Sequence, residues 1–213
     1  MAAFDLEEQE QLEQLKAWWK RWGNLVSYGV IALLLGVVAF QYWQRTTANQ
    51  EIEAASHFDT MQQALQAGDK KTFRATGTAL IEKYASSPYA ARAAMLMAGA
   101  NVEDKDSKSA KAQLEWVVEH SKEAALKDAA RLRLAGLLLD EKQYEAALKQ
   151  LDAKHTDAFA PRFDDLKGDL YLAQGKTAEA RAAYAAALAA LKETNPLRAV
   201  VEMKLDSLGG LAK

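Results

Sequence analysis

Asp169–Tyr184, DLYLAQGKTAEARAAY, is the clearest of three related stretches, and their relation decides the fold. Gly136–Leu151 (GLLLDEKQYEAALKQL) and Gly99–Leu114 (GANVEDKDSKSAKAQL) align with it without a gap. Ala110, Ala147 and Ala180 then correspond, and they lie 37 and 33 residues apart. Periods of this length are typical of solenoids built from helix–turn–helix units, each of which buries its apolar face against its neighbours.

The third stretch has small and aromatic residues at the offsets of a tetratricopeptide repeat: Gly168, Tyr171, Gly175, Ala180, Tyr184 and Ala187. The second stretch keeps Tyr144, Ala147 and Leu151 but has Ala135 in place of the first glycine. The first stretch is degenerate, which leaves the number of true repeats open. The pattern predicts an all-α chain whose larger part is a tetratricopeptide-like α-solenoid.

Turn-forming residues divide this part of the chain into short helices. The predicted breaks are Gly68-Asp69, Ser86-Ser87-Pro88, Glu103–Lys108, Asp140–Gln143, His155–Pro161, Gly175 and Asn195-Pro196. Ahead of them, Thr46–Ala67 contains no glycine or proline and has apolar residues at helical spacing, so it is predicted to be helical. Runs of β-branched residues are short, and no strand is predicted.

Residues 22–44, WGNLVSYGVIALLLGVVAFQYWQ, contain no charged residue. As a helix they extend roughly 34 Å, enough for the hydrocarbon layer of a bilayer. Trp18, Trp19 and Trp22 at one end and Trp43 at the other fit aromatic belts at the two interfaces. A cleaved signal peptide does not fit, because the leader is long and acidic. The sequence therefore predicts a single uncleaved N-terminal transmembrane helix.

Basic residues near the span predict its orientation. Lys16, Lys20 and Arg21 precede it, whereas Arg45 is the only basic residue close behind it. We therefore expect residues 1–21 to form a cytoplasmic tail or short helix, with a frayed acidic tail as the alternative. Residues 22–44 form the anchor in this interpretation, and residues 45–213 form the domain on the far side.

Composition and motifs give no sign of catalysis or of nucleic-acid binding. The part after the anchor is formally neutral, and the chain has no cysteine, so disulfides and thiolate chemistry are excluded. His57, His120 and His155 are isolated, and no phosphate loop or catalytic triad spacing is present. An acidic cluster at Asp164, Asp165 and Asp169 is interpreted as a solvated face neutralised by Arg162 and Lys167. No cofactor, metal or enzymatic activity is predicted.

In the order of its motifs the chain resembles the YfgM-type inner-membrane proteins of Gram-negative bacteria, ancillary subunits of the SecYEG translocon. The motifs are KAWWKRWGN, the span ending in Tyr42-Trp43, LRLAGLLLDEKQYEAALKQLD, FDDLKGDLYLAQGKTAEARAAY and EMKLDSL. The resemblance implies a periplasmic tetratricopeptide-like domain and association with the translocon and the foldase PpiD. It also implies chaperone-like help for newly exported proteins.

Two functions are compatible with these features. The first is a membrane-tethered interaction module beside an export site, with exported client proteins, translocon subunits and surrounding lipid as partners. The second is a scaffold or adaptor for envelope assembly or stress signalling that binds no client.

Two surfaces are predicted to bind partners. Repeat offsets place Arg92, Met95, Gly99, Val102, Leu132, Gly136, Leu139, Arg162, Asp165, Asp169 and Leu172 on a concave groove, unless the last helix, Pro196–Leu208, fills it. In the anchor, Gly29, Ala32, Gly36 and Ala39 form a stripe of small residues that could pack against another membrane helix. The alternative for this stripe is that small residues are merely common in membrane spans.

Overall fold

The computed structural model describes residues 2–209, with side chains from residue 10 onwards. All regular structure among these residues is helical, which confirms the all-α prediction. The first helix, α1 (Ala2–Ala67), includes the predicted N-terminal helix, the anchor and Thr46–Ala67. The chain divides into two compact units between Ile52 and Glu53.

The first unit contains the apolar stretch predicted to be the anchor. Within the part of the chain that the structure describes, α1 alone is long and apolar enough to cross a membrane, with a mean hydropathy of 2.0 in its best window. The side chains of Trp18, Trp22 and Trp43 are exposed rather than packed, as expected for residues that contact lipid. The long apolar helix that the sequence predicts is therefore present, and other described residues bury only 6% of its most apolar window.

The second unit consists of the end of α1 and eight shorter helices among the described residues. These are α2 (Lys70–Lys83), α3 (Pro88–Glu103), α4 (Ser107–His120), α5 (Ala124–Asp140), α6 (Tyr144–Leu151), α7 (Ala160–Ala173), α8 (Thr177–Ala190) and α9 (Leu197–Ser207). The predicted breaks lie at or next to the observed ones. One further break, between α4 and α5, has no glycine or proline: Ser121 adopts an extended conformation and its hydroxyl accepts a bond from the Glu123 amide.

A single turn geometry joins the helices in pairs, and it occurs four times in the described residues. In each turn an amide bonds back to a carbonyl five residues earlier: Asp69 to Ala64, Asp106 to Asn101, Gln143 to Leu138 and Lys176 to Tyr171, at 2.8–2.9 Å. The residue before each of these amides has a positive φ: Gly68, Lys105, Lys142 and Gly175. The array therefore contains four helix pairs. The earliest pair, formed by the end of α1 with α2, has no counterpart among the three stretches recognised in the sequence.

Three apolar clusters run along the array. The first joins α1, α2 and α3 through residues such as Met61, Leu80 and Met97. The largest joins α3 to α7 and includes Leu114, Leu134 and Phe163. In the third, Val201 and Leu205 of α9 pack against Ala180, Tyr184 and Ala187 of α8. Because α9 covers the apolar face of the last pair, it ends the array as a cap.

The loop between α6 and α7 is held by a buried carboxylate. Asp128 of α5 is only 2% exposed and accepts bonds from the amide (2.9 Å) and hydroxyl (2.8 Å) of Thr156. Arg131 pairs with the same carboxylate and donates to the Lys154 carbonyl. The His155 ring stacks on Phe163 with centroids 4.3 Å apart. These hydrogen bonds fix the loop to α5.

Candidate protein-binding surface

The first helices of successive pairs form one side of the array. Helix α5 contacts both α3 and α7, in addition to the contacts between consecutive helices. Among the described residues, no contact of comparable extent links the second helices α4, α6 and α8. The first helices α3, α5 and α7 therefore pack side by side, and their outward faces lie on one side of the array.

The structure places the predicted groove residues in different surroundings. Met95 is 7% exposed and belongs to the central core, contrary to the expectation that it lines the groove. Leu132 and Leu139 are half-buried and pack on that core. The guanidinium of Arg92 pairs with Glu123 at 2.9 Å, and Arg162 is exposed.

A row of apolar side chains remains accessible on the first helices. Its members are Leu65, Val102, Leu139 and Leu172, one from each pair at the same repeat position. Leu65, Val102 and Leu172 are 47%, 46% and 41% exposed. Leu65 was missed because the first pair was not recognised; the 37-residue spacing from Leu65 to Val102 was the available signal. None of the apolar residues of α9 joins the core cluster that contains Leu132 and Leu139, so α9 does not fill this side of the central pairs.

The acidic cluster on α7 is neutralised differently from the prediction. Lys204 of α9 lies 2.8 Å from carboxylate oxygens of both Asp165 and Asp169. Lys167, which we expected to neutralise the cluster, instead pairs with Asp152 at 2.8 Å. The prediction failed because the true partner lies 39 residues beyond Asp165 in the sequence, on a helix whose docking only the fold reveals.

Burial and charge shift the ionisation of this cluster. Burial raises the pKa of the Asp165 carboxyl, although the bond from Lys204 opposes the shift. Burial alone would lower the pKa of Lys204, but its bonds to the two carboxylates raise it overall. Burial, and the hydroxyl's donation to Asp169 at 2.7 Å, raise the pKa of Tyr184 well above its usual value. The ammonium of Lys204 thus links α9 to two carboxylates of α7.

Ion pairs connect neighbouring pairs along one edge of the array. Asp104, at the end of α3, binds Lys70 (2.8 Å) and Arg74 (2.7 Å) of α2, and these bonds lower its pKa. One repeat later, Glu141 at the end of α5 binds Lys111 and Ser107 of α4, and its pKa is lowered in the same way. Asp104 and Glu141 therefore each form an ion pair with the preceding helix pair.

The histidines lie among aromatic residues. His57 lies beside Tyr84, and His120 stacks on Trp116 with centroids 4.6 Å apart. Within the described residues no group of three or more His, Cys, Asp or Glu side chains could hold a metal ion.

The small residues predicted to form a packing face in the anchor, Gly29, Ala32, Gly36 and Ala39, are all exposed in the first unit. An added Cβ at Gly29 or Gly36 would meet nothing within 4 Å. Their role in contacting another membrane helix stays a prediction.

Comparison with known proteins agrees with this architecture. The sequence model of the tetratricopeptide repeat-like domain family matches residues 16–210. A protein of Neisseria gonorrhoeae called "Ancillary SecYEG translocon subunit" is 32% identical over 207 residues, which cover 97% of this chain and 99% of the relative. The chain belongs to this family of ancillary translocon subunits. Its tetratricopeptide-like, single-anchor fold class is thereby confirmed.

Other members of the family match this chain over nearly their full length. Proteins with the same name from Haemophilus influenzae and Escherichia coli are 26% and 27% identical. The matches cover 97% and 94% of this chain, and 100% and 96% of the two relatives. Because the similarity extends over the anchor as well as the array, it includes both parts of the architecture.

Proposed function

We propose that the chain is a non-catalytic subunit of the Sec translocon, anchored in the bacterial inner membrane with its helical array in the periplasm. The observation that supports this most directly is the apolar row Leu65, Val102, Leu139 and Leu172, which the array leaves accessible on its first helices. Exposed apolar side chains repeated along one face are typical of protein-binding surfaces. We infer association with the Sec translocon from the relatives, which are named as SecYEG translocon subunits.

The finer part of the proposal concerns clients. An array beside the translocon meets polypeptides before they fold, when their apolar side chains are still accessible. The apolar row then assists newly exported proteins as a chaperone-like surface, and a membrane-anchored foldase of the PpiD type is a further partner. Lipid surrounds the anchor.

Copurification tests the association. The tagged full-length chain, extracted in a mild detergent, is expected to recover SecY, SecE and SecG, and Gly36→Leu should reduce this recovery if the small-residue stripe is the contact. Val38→Leu, on the opposite side of the same helix, is the matched control. Absence of translocon subunits from the wild-type preparation would contradict the proposal.

Site-specific photo-crosslinking in cells tests the client-binding part. A crosslinker at Leu172 is expected to capture pulse-labelled secretory chains during export, whereas one at Ala186 on the second helix α8 should not. Capture of only a fixed set of envelope-assembly proteins would support a scaffold instead.

A further inference from the structure

The tryptophan-rich end of the anchor carries a surface feature that the proposed function does not use. Just before the apolar span of α1, an open groove is lined by Leu15, Lys16, Trp18, Trp19 and Lys20. Polar atoms contribute almost nothing to its walls, so the two lysines line it with their aliphatic stems. The groove therefore has an apolar interior, and its two ammonium groups extend past the walls.

A glycine positions one indole of this groove. Gly23 is buried, and an added Cβ there would lie 3.1 Å from the indole of Trp19. Glycine thus allows the indole to lie against the helix backbone, one turn towards the middle of the anchor. The ring of Trp18 lies beside it, with centroids 6.2 Å apart. The two rings form an apolar wall where the membrane span begins.

The basic residues at this end of the anchor have no partner within the described part of the chain. Lys16, Lys20 and Arg21 form no ion pair or hydrogen bond there, not even with Glu13, three positions ahead of Lys16. Residues 14–50 contain no acidic side chain at all. The cations beside the groove are therefore not neutralised by neighbours along the helix.

Distances along the helix place the lysines, but not the nearest acid, at the level of lipid headgroups. The headgroup layer on each side of a bilayer is roughly 5–8 Å thick. Lys20 precedes Trp22 by about 3 Å and Lys16 precedes it by about 9 Å, and a lysine side chain extends several Å further towards the charges it contacts. Glu13 lies about 14 Å before Trp22, past that layer. An anionic headgroup at this depth therefore meets cations only.

We propose that this groove binds an anionic phospholipid. The lipid phosphate lies between the ammonium groups of Lys16 and Lys20, which share a helix face because they are four residues apart. An acyl chain of the lipid lies along the indole of Trp19. A zwitterionic phospholipid fits less well, because its own cation neutralises the phosphate and repels the two ammonium groups. The site goes beyond the proposed function, since it requires the anchor to lie in a membrane but requires neither the translocon nor a client.

Quenching of tryptophan fluorescence by brominated lipids tests this site. The full-length chain keeps Trp19, its other four tryptophans are changed to phenylalanine, and it is reconstituted into phosphatidylcholine vesicles. The same small fraction of the lipid is either brominated phosphatidylglycerol or brominated phosphatidylcholine, with the bromine near the headgroup end of the chains. We expect the anionic lipid to quench Trp19 as if it were enriched roughly fivefold, the factor that the attraction of one basic group to an anionic surface implies. A chain that keeps only Trp43 is the control, and its preference should be much smaller because Arg45 is the one basic residue nearby.

A variant with relocated charges separates this site from a general attraction of anionic lipid to the basic end of the anchor. Gln14 and Ala17 are exposed on the side of α1 opposite the groove. Gln14→Lys and Ala17→Lys, combined with glutamine at both groove lysines, preserve the net charge of this end but move it away from the groove. The preference for anionic lipid should then disappear. Gly23→Leu, whose side chain takes the space of the indole, should reduce the preference as well, while both variants stay in the membrane during alkaline extraction.

Three results would overturn the inference. Equal quenching of Trp19 by the two lipids would remove the specificity for negative charge, and a preference that survives the relocated charges would remove the groove as its cause. Quenching of Trp43 without quenching of Trp19 would show that protein, not lipid, covers the groove. Because the assay contains no SecYEG, its failure leaves the proposed function intact, and a failure of SecYEG to copurify leaves the lipid site intact.

Discussion

The repeated turn shows that two lysines occupy backbone positions suited to glycine. Lys105 and Lys142 have φ values of 60° and 59°, in the left-handed region where Gly68 and Gly175 occupy the equivalent turns. A side chain at such a position costs roughly 1 kcal/mol relative to glycine. The turn is nevertheless formed, because its amide-to-carbonyl bonds and the packing of the two helices it joins outweigh that cost.

Replacing these lysines is expected to stabilise the array. Lys105→Gly and Lys142→Gly should each raise the free energy of unfolding by roughly 0.5–1 kcal/mol, measured by urea denaturation in detergent. Ala112→Gly, at an exposed position in the interior of helix α4, is the control and should lose stability, since glycine is unfavourable inside a helix. A loss of stability in all three variants would mean that the lysine side chains do more than occupy the turn.

The cluster around Tyr184 predicts how the array responds to alkaline solution. Tyr184 and Lys204 both have folded-state pKa values above their ordinary values of 10.0 and 10.5. Above about pH 10 the folded state therefore holds more protons than the unfolded state, and stability must fall as pH rises. Unfolding of wild type and Tyr184→Phe, compared between about pH 8 and pH 11, should show a shallower decline in the variant. Parallel declines would contradict the assignment to Tyr184.

At the scale of the helices, the sequence predicts most boundaries because glycine, proline and capping residues mark them locally. Asp69 and Asp106, for example, cap α2 and α4 by accepting bonds from amides three residues ahead. The break at Ser121 could not be predicted this way. It depends on a buried serine between two helices that pack on each other, and such a contact is invisible in the local sequence.

The loop between α6 and α7 depends on Asp128, a residue that local patterns do not distinguish from a surface aspartate. Asp128→Ala removes both bonds to Thr156 and leaves Arg131 without its carboxylate. We expect a loss of roughly 2–3 kcal/mol in unfolding free energy, together with faster amide exchange in residues 152–159. Asp157→Ala, an exposed change in the same loop, should alter neither; if both variants behave alike, the carboxylate does not fix the loop.

At the scale of the whole molecule, the sequence predicted the architecture better than the binding surface. Period and apolar spacing are properties of each repeat, so an anchor and an array of helix pairs could be inferred. The first pair was not recognised in the sequence because Met61 and Phe73 stand at the positions where the repeat pattern has glycine and alanine. These two residues hide the repeat, although both are packed in the first apolar cluster. Contacts between distant elements, such as Lys204 with Asp165, followed only from the fold.

The orientation of the chain in the membrane is a further property of the whole molecule, and the basic residues that flank the anchor predict it. Lys16, Lys20 and Arg21 flank one end of the anchor and Arg45 the other. Basic residues are retained on the cytoplasmic side, so the array should be periplasmic. Because cysteine is absent, single cysteines can report the side of each part without background labelling.

In intact spheroplasts, a membrane-impermeant maleimide should label Ala186→Cys in the array but not Leu12→Cys in the tail. Both positions are exposed, so burial does not account for a difference between them. After lysis both should be labelled. Changing Lys16, Lys20 and Arg21 to glutamine weakens the charge difference across the span, so part of the population should then show labelling at residue 12. Labelling of Leu12→Cys with protection of Ala186→Cys in the otherwise unaltered chain would reverse the assignment and place the array in the cytoplasm.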